Sequence, residues 1–371
     1  MKNRSTEKER TLKIRRPFGQ TILLAAILLI ILLVLVETAA RTDFVRDALP
    51  APSIASGHKR LDIKLPLLDD LVREEGRIDC IFLGGSDVNA SINPDVFSRA
   101  YEKKTGEKLI CFNFGLDGFI PPAAAVMAKI LVEKYHPRLL VWGFSPTSFS
   151  DEFKRTTKEI VSRNPWCRYR LGDFNLEGWL TDYSRAYRYF LRFRTWLERP
   201  GYFEKLSIRG EKTSKYGYHT AERVKTFTRF KRDEEQESRY RNILSDFNMD
   251  NQALAALEKT LRLHSQTGIV LVDIPVHPRY LTLHERGADV YRKSASYIKK
   301  RAGQYGVLFI STNRFDLIPR SGFRNISHMN TRGARIFSRW LGRQIGRAVS
   351  KGFLALPPRP GTVVSLAGVL K

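Results

Sequence analysis

Five short apolar runs, each closed by a turn and followed by a helical stretch, set the tightest limit on what this chain can fold into. The first passes through Cys80-Ile81-Phe82-Leu83 and stops at Gly84-Gly85 before Ser86. Continuous apolar residues suit a strand covered on both faces, and two glycines let the backbone turn sharply and approach a ligand closely. Further runs are Lys108 to Phe114, Arg138 to Gly143, Ile269 to Ile274 and Val307 to Ser311. Between and after them, helical patterns begin at Pro94, at Pro121-Pro122, at Asn251, at Ala288 and at Thr331. Proline at a first helical position and Asn or Thr ahead of an apolar stripe are start signals. Repeated βα units imply a parallel sheet. In such sheets ligands bind at the carboxyl ends of the strands, which is where Ser86 falls. A glycine turn with a helix-capping Ser or Asp is the plainer reading of the same residues.

The chain has 371 residues, enough for one α/β domain with a large insertion. Residues 1–16 are basic, carrying Lys2, Arg4, Lys8, Arg10, Lys13, Arg15 and Arg16. Residues 17–38 are apolar over a length that spans a bilayer as a helix, and the positive flank places the amino terminus in the cytoplasm and the rest outside. The expectation is a single-pass signal anchor. A cleaved signal peptide is the rival, because Thr38-Ala39-Ala40 supplies small residues after the apolar core. Residues 39–77 read as a stem without chemistry, with a short helix from Leu67 to Glu74. The formal charge of +25 favours a polyanionic partner such as anionic lipid, acidic polysaccharide or nucleic acid. Export of the domain argues against nucleic acid. Cys80, Cys111 and Cys167 lack metal-ligand spacing and imply no disulfide framework.

Residues 151–249 break the βα rhythm and read as a basic, aromatic, helical insertion between a first half at 78–150 and a second at 250–350. Tyr183, Tyr187, Phe190 and Leu197 recur at helical spacing beside Arg185, Arg188, Arg192 and Arg194. A helix packing its aromatic stripe on the main domain is expected, with a membrane-surface or polysaccharide-binding helix as the alternative. The polar stretch from Gly210 to Glu237 reads as a mobile loop. Residues 351–371 read as a flexible tail.

Four short blocks fall in a telling order. They are Gly84-Gly85-Ser86, then Asn113 followed by Gly118, then Gly143-Phe144-Ser145, and last Asn325-Ile326-Ser327-His328-Met329-Asn330-Thr331-Arg332-Gly333-Ala334. Together they resemble the SGNH/GDSL hydrolase superfamily, most closely its membrane-anchored members associated with bacterial envelope polysaccharides. The resemblance implies a flavodoxin-like three-layer α/β/α fold with a five-stranded parallel sheet. It implies Ser86 as nucleophile, His328 as catalytic histidine and Gly118 as an oxyanion-hole glycine. Asn113, Ser145 and Asp87 join Gly118 as candidate oxyanion or substrate-binding residues. Asp87 alone reads first as a helix cap.

The chemistry is consistent with that assignment, since a serine hydroxyl needs a neighbouring base and imidazole is the usual one. Among seven histidines, His277 after the fourth strand is the rival to His328. Two positions depart from the family. Ser145 stands where the family has Asn, which alters one oxyanion donor. Asn325 stands where the family usually has Asp, so it can orient the imidazole without neutralising it. Asp273 and Asp316, each near a strand end, are alternative acids. The expected function is an esterase or O-acyltransferase, acting on an acetyl group of an envelope polysaccharide, with no cofactor and no metal. Its partners are an acyl donor or acylated polysaccharide, the membrane and polysaccharide machinery. A scaffold that has lost its chemistry is the alternative from a different class.

Overall fold

The structure is a computed structural model and describes residues 15–150, 157–203, 211–221, 231–312 and 316–359. Its centre is a parallel sheet of five strands, β1 (Cys80–Gly84), β2 (Cys111–Gly115), β3 (Leu139–Phe144), β6 (Gly268–Asp273) and β7 (Leu308–Ile310). A separate antiparallel hairpin pairs β4 (Glu211–Thr213) with β5 (His219–Ala221). The large sheet runs β2-β1-β3-β6-β7, with every neighbouring pair parallel. That is the flavodoxin-like order, in which connections depart in opposite directions on either side of the β1/β3 boundary and open a crevice there.

Alternation along the strands divides the core into two layers. Cys80 and Phe82 of β1 face one side, with Val141 and Val270, beneath helices Pro94–Thr105 and Thr331–Ser350. Ile81 and Leu83 face the other, with Phe112, Leu140 and Leu271, beneath helices Pro121–Tyr135 and Asn251–Leu261. All of these strand residues are fully or almost fully buried, which is why the runs are apolar throughout.

The segment read as a stem is part of this second layer. A helix spans Lys59–Glu75, longer than the expected Leu67 to Glu74, and Leu61, Leu65, Leu68 and Leu71 bury one of its faces. Lys64 lies on that same face and is buried with them. Its charged neighbours made the sequence look solvated, whereas Asp62 accepts a 2.8 Å hydrogen bond from the Tyr202 hydroxyl and Arg60 pairs with Asp117. The stem therefore reaches the site rather than standing off from it.

The insertion differs from expectation in two ways. First, the Gly210 to Glu237 stretch holds the β4–β5 hairpin and the start of helix Lys231–Ser245; Gly210 and residues 222–230 lie outside the described residues. Second, helix Arg185–Glu198 turns its aromatic stripe outward. Arg188, Leu191 and Thr195 are its buried residues, while Phe190, Phe193 and Trp196 stand at least half exposed.

At the amino terminus, helix Arg15–Arg41 carries the apolar stretch Gly19–Arg41, of mean hydropathy 3.0, whose apolar side chains from Ile22 to Val36 stand exposed. It is long and apolar enough to cross a membrane. The basic residues ahead of Arg15 lie outside the described residues, as do residues 360–371 of the tail.

Candidate active site

β1 ends in Gly84, whose φ of +153° suits glycine. A side chain at Gly84 would run into the Gly143 carbonyl and Val88. The chain then enters the short helix Ser86–Ser91 with Ser86 at its first position. In the same core layer as Val88 of that helix, the loop before helix Thr331–Ser350 is closed by a bridge between Phe323 and Met329, and Arg324 N–H donates to the His328 carbonyl at 3.0 Å. The two elements meet across 242 residues. His328 Nε2 lies 2.8 Å from Ser86 Oγ.

The other imidazole nitrogen fixes the direction of that bond. Asn325 Oδ1 accepts from His328 N–H at 2.8 Å and Ser327 N–H at 3.1 Å, so its oxygen, not its amide nitrogen, faces the ring. Nδ1 lies 3.0 Å from that oxygen and therefore carries the hydrogen. Nε2 is left bare and accepts the Ser86 hydroxyl. This is the arrangement a general base requires. The Ser327 hydroxyl, 3.1 Å from Nδ1, completes the surround and itself accepts from Gln236 Nε2 at 3.2 Å.

Burial pushes His328 down to about 3, and Arg324 pushes in the same direction; Asp117 opposes them, with Arg60 and His219 adding to the depression. The imidazole is thus neutral at neutral pH. Asp117 is itself bound to Arg60, and its carbonyl lies 2.8 Å from His58 Nε2. Asp273, proposed as a substitute acid, is spent elsewhere: it accepts from Ser311 Oγ at 3.0 Å and from Thr312 N–H, joining the ends of β6 and β7. Asp316 lies on an exposed turn. His277 caps the short helix Pro278–Leu281 through Arg279 N–H at 3.1 Å and packs edge-on against Phe323, a structural role.

A cavity of about 90 Å³ opens beside Ser86 and His328, with Gly118, Ser145, Tyr240 and Tyr280 in its wall. Gly118 adopts φ +66°, the left-handed region that a turn here requires. Ser145 lines the cavity, but its hydroxyl is 2.9 Å from Thr147 Oγ1, which continues to the Tyr280 hydroxyl. Its N–H is one of the groups that lower the pKa of the Asp87 carboxyl. Asp87 is not the helix cap: Gly85 holds that position without a side chain, and Asp87 folds back to accept Val88 N–H at 2.9 Å. Burial raises Asp87 to about 6, against the lowering effect of N–H groups from Val88, Ser145 and Gly85.

Asn113 does not reach the cavity. It is fully buried, donating to the carbonyls of Val88 at 2.9 Å and Ile92 at 2.6 Å and accepting from Gly115 N–H at 2.8 Å. It holds the carboxyl end of the Ser86–Ser91 helix against β2. Behind it lies Lys64, whose ammonium donates to Asn89 Oδ1 at 2.7 Å, the Asn113 carbonyl at 2.9 Å and the Gly115 carbonyl at 2.7 Å. Sequence reasoning missed Lys64, Gln236 and Tyr240. Only Lys64 left a signal, a lysine on the same helical face as Leu61, Leu65 and Leu68. Among the described residues, no group of three or more His, Cys, Asp or Glu side chains converges as a metal site.

No family model matches the chain, and no curated protein matches it. Among solved structures, a carbohydrate acetylesterase from Sinorhizobium meliloti aligns at 12% identity over 74% of this chain and 99% of its own, with a TM-score of 0.33. An inhibitor-bound aryl esterase from M. smegmatis gives the same figures. A gut microbial diltiazem-metabolizing enzyme aligns at 11% identity over 72% of this chain and 47% of its own, with a TM-score of 0.31. Likeness at that level says nothing of this chain's chemistry, which rests on the geometry around Ser86.

Two outcomes are expected. Asn325→Asp places a carboxylate at 3.0 Å from Nδ1, which favours the imidazolium and raises the His328 pKa. The acid limb of any Ser86-dependent activity should lie well below the ordinary histidine range in the native chain and move up towards neutrality in the variant; an unmoved limb would contradict the assignment. Between about pH 4 and pH 6 Asp87 takes up a proton on folding, because its pKa of about 6 exceeds the unfolded value of about 3.9. Its ionised form therefore weakens the fold above about pH 6 and has no such effect below about pH 4. Asp87→Asn should raise the unfolding midpoint in urea at pH 8 and leave it unchanged at pH 4.

Proposed function

We propose that this chain is an SGNH-like serine esterase or O-acyltransferase held at a membrane by its amino-terminal helix. The observation that carries the reading is the 2.8 Å contact between His328 Nε2 and Ser86 Oγ, with Nδ1 turned to the Asn325 oxygen. Ser86 Oγ attacks the acyl carbonyl as its proton passes to Nε2. Collapse of the tetrahedral adduct breaks the ester bond, and the imidazolium returns the proton to the departing alcohol. Water or a sugar hydroxyl then takes the acyl group from Ser86 by the reverse path. Backbone N–H groups at Gly118 and at the start of the Ser86–Ser91 helix hold the oxyanion.

Asn325 keeps the tautomer correct but adds no negative charge beside the imidazolium. In the serine-protease template an Asp-to-Asn change costs on the order of 10⁴-fold, much of it through the wrong tautomer. Here the amide oxygen already faces Nδ1, so the loss should be the smaller, electrostatic part. The cavity of about 90 Å³ suits a short acyl chain, acetyl above all. The charge of +25 favours an anionic polysaccharide as carrier of that group.

A fluorophosphonate probe reacts with activated serines and tests the reading directly. The full-length chain in detergent should be labelled, and labelling should disappear in Ser86→Ala and His328→Ala variants that keep the native circular dichroism. A folded native chain that resists the probe would favour a scaffold that keeps the fold without turnover.

A further inference from the structure

The outer end of the amino-terminal helix is locked to the insertion. The Glu37 carboxylate accepts from Ser184 Oγ at 2.7 Å, Arg185 N–H at 2.9 Å and Ala186 N–H at 3.1 Å. It thereby satisfies the exposed amides that open helix Arg185–Glu198. Arg41 adds a 2.6 Å hydrogen bond to the Tyr183 carbonyl and a 2.7 Å bond to Glu37. The insertion helix is thus fastened at the level where the apolar stretch ends. Removal of residues 1–40 as a signal peptide would take Glu37 with it, so this junction is built for a chain that keeps its amino-terminal helix.

The fastened helix is polar inward and apolar outward. On its protein side Arg188 is buried and pairs with Asp69 at 2.6 Å, beside Leu191 and Thr195. On the other side Phe190, Phe193, Trp196 and Leu197 are 51%, 55%, 50% and 57% exposed, and Trp179 and Tyr183 of the preceding helix Leu176–Tyr183 extend the patch. A helix facing water shows the opposite arrangement. Contiguous exposed apolar surface marks an interaction site, and aromatic residues with neighbouring arginines are the composition of a membrane–water boundary. The adjoining apolar helix says which surface is at hand.

We propose that the outward face of helix Arg185–Glu198, with Trp179 and Tyr183, is seated in the headgroup and upper acyl region of the leaflet where the amino-terminal helix emerges. The proposal rests on reading Gly19–Arg41 as a membrane crossing. Partly buried Arg192 and Arg194 stand beside this face and suit anionic headgroups, Arg194 lying 3.7 Å from Glu177 and 3.8 Å from Glu198. Through Arg185 to Asp70 at 3.1 Å and Arg188 to Asp69, the seated helix grips helix Lys59–Glu75, which carries Arg60 and Lys64 to the site. The site is consequently held at a set orientation to the bilayer and not on a swinging tether.

Nitroxide labels at single cysteines in the full-length chain test this. Phe193→Cys, Leu29→Cys and Arg292→Cys report the proposed face, the amino-terminal helix and an exposed domain surface, and the three native cysteines are buried. The chain is reconstituted in vesicles of equal parts phosphatidylethanolamine and phosphatidylglycerol. Collisions with oxygen and with a water-soluble nickel chelate are then measured by power saturation. The label at 193 should meet oxygen as the label at 29 does, with nickel collisions falling roughly tenfold below those at 292, as expected for burial below the headgroups. Nickel access at 193 equal to that at 292, with 29 in lipid, would overturn the proposal and leave the membrane crossing intact. Water access at all three positions would overturn both. Shielding of 193 from both reagents would mean that a second chain covers the face, which also overturns it.

Discussion

A buried ammonium ties together the parts of this molecule that matter to its site. Lys64 comes from a helix outside the βα series, yet its Nζ donates to Asn89 of the Ser86–Ser91 helix and to the carbonyls of Asn113 and Gly115 at the end of β2. All three partners are neutral oxygens, and burial depresses the lysine far below its ordinary range. A charge taken from water without an opposite charge is costly unless its hydrogens are all used, and here these three close acceptors are joined by Asn113 Oδ1 at 3.4 Å. Loss of any of these partners would leave a buried polar group unmatched. The helix Lys59–Glu75 is consequently fixed behind the elements that carry Ser86 and Gly118, without lining the cavity itself.

The same economy of charge marks the Ser86–His328 pair. Among the described residues no carboxylate hydrogen-bonds the imidazole; Asn325 and Ser327 surround Nδ1, with Arg324 and Arg60 as nearby cations and Asp117 as a nearby anion. Such surroundings keep the histidine neutral and ready to accept a proton, but they do little to stabilise the imidazolium that attack creates. With an amide oxygen and not a carboxylate at Nδ1, the imidazole stays neutral well into acid solution.

Much of the fold was legible because it rests on local pattern. Strands buried on both faces must be apolar throughout, and Pro94, Pro121 and Thr331 announce their helices, so the five-stranded sheet could be read from sequence with small shifts at the ends. Ser86, Gly118 and His328 were legible as candidates because short motifs and strand ends carry them. Asn113 was misplaced because an asparagine at a strand end looks the same whether it turns to a ligand or to the carbonyls of Val88 and Ile92. Gln236 meets Ser327 across 91 residues, a pairing that no local signal encodes. The aromatic stripe of helix Arg185–Glu198 was visible by its period, but a period says only that two faces differ. Which face turns outward was decided by Arg188, whose partner Asp69 lies in a helix the sequence made look like a stem.

The central claim is that His328 presents a bare Nε2 to Ser86 because Asn325 holds the hydrogen on Nδ1. Nitrogen-15 NMR of histidine-labelled chain at neutral pH reads this directly, with His328→Gln to assign the resonances. The account predicts for His328 a neutral ring with a protonated Nδ1 and an unprotonated Nε2, and in Asn325→Ala a loss of that preference. A His328 ring protonated at both nitrogens near neutrality, or carrying its hydrogen on Nε2, would contradict it.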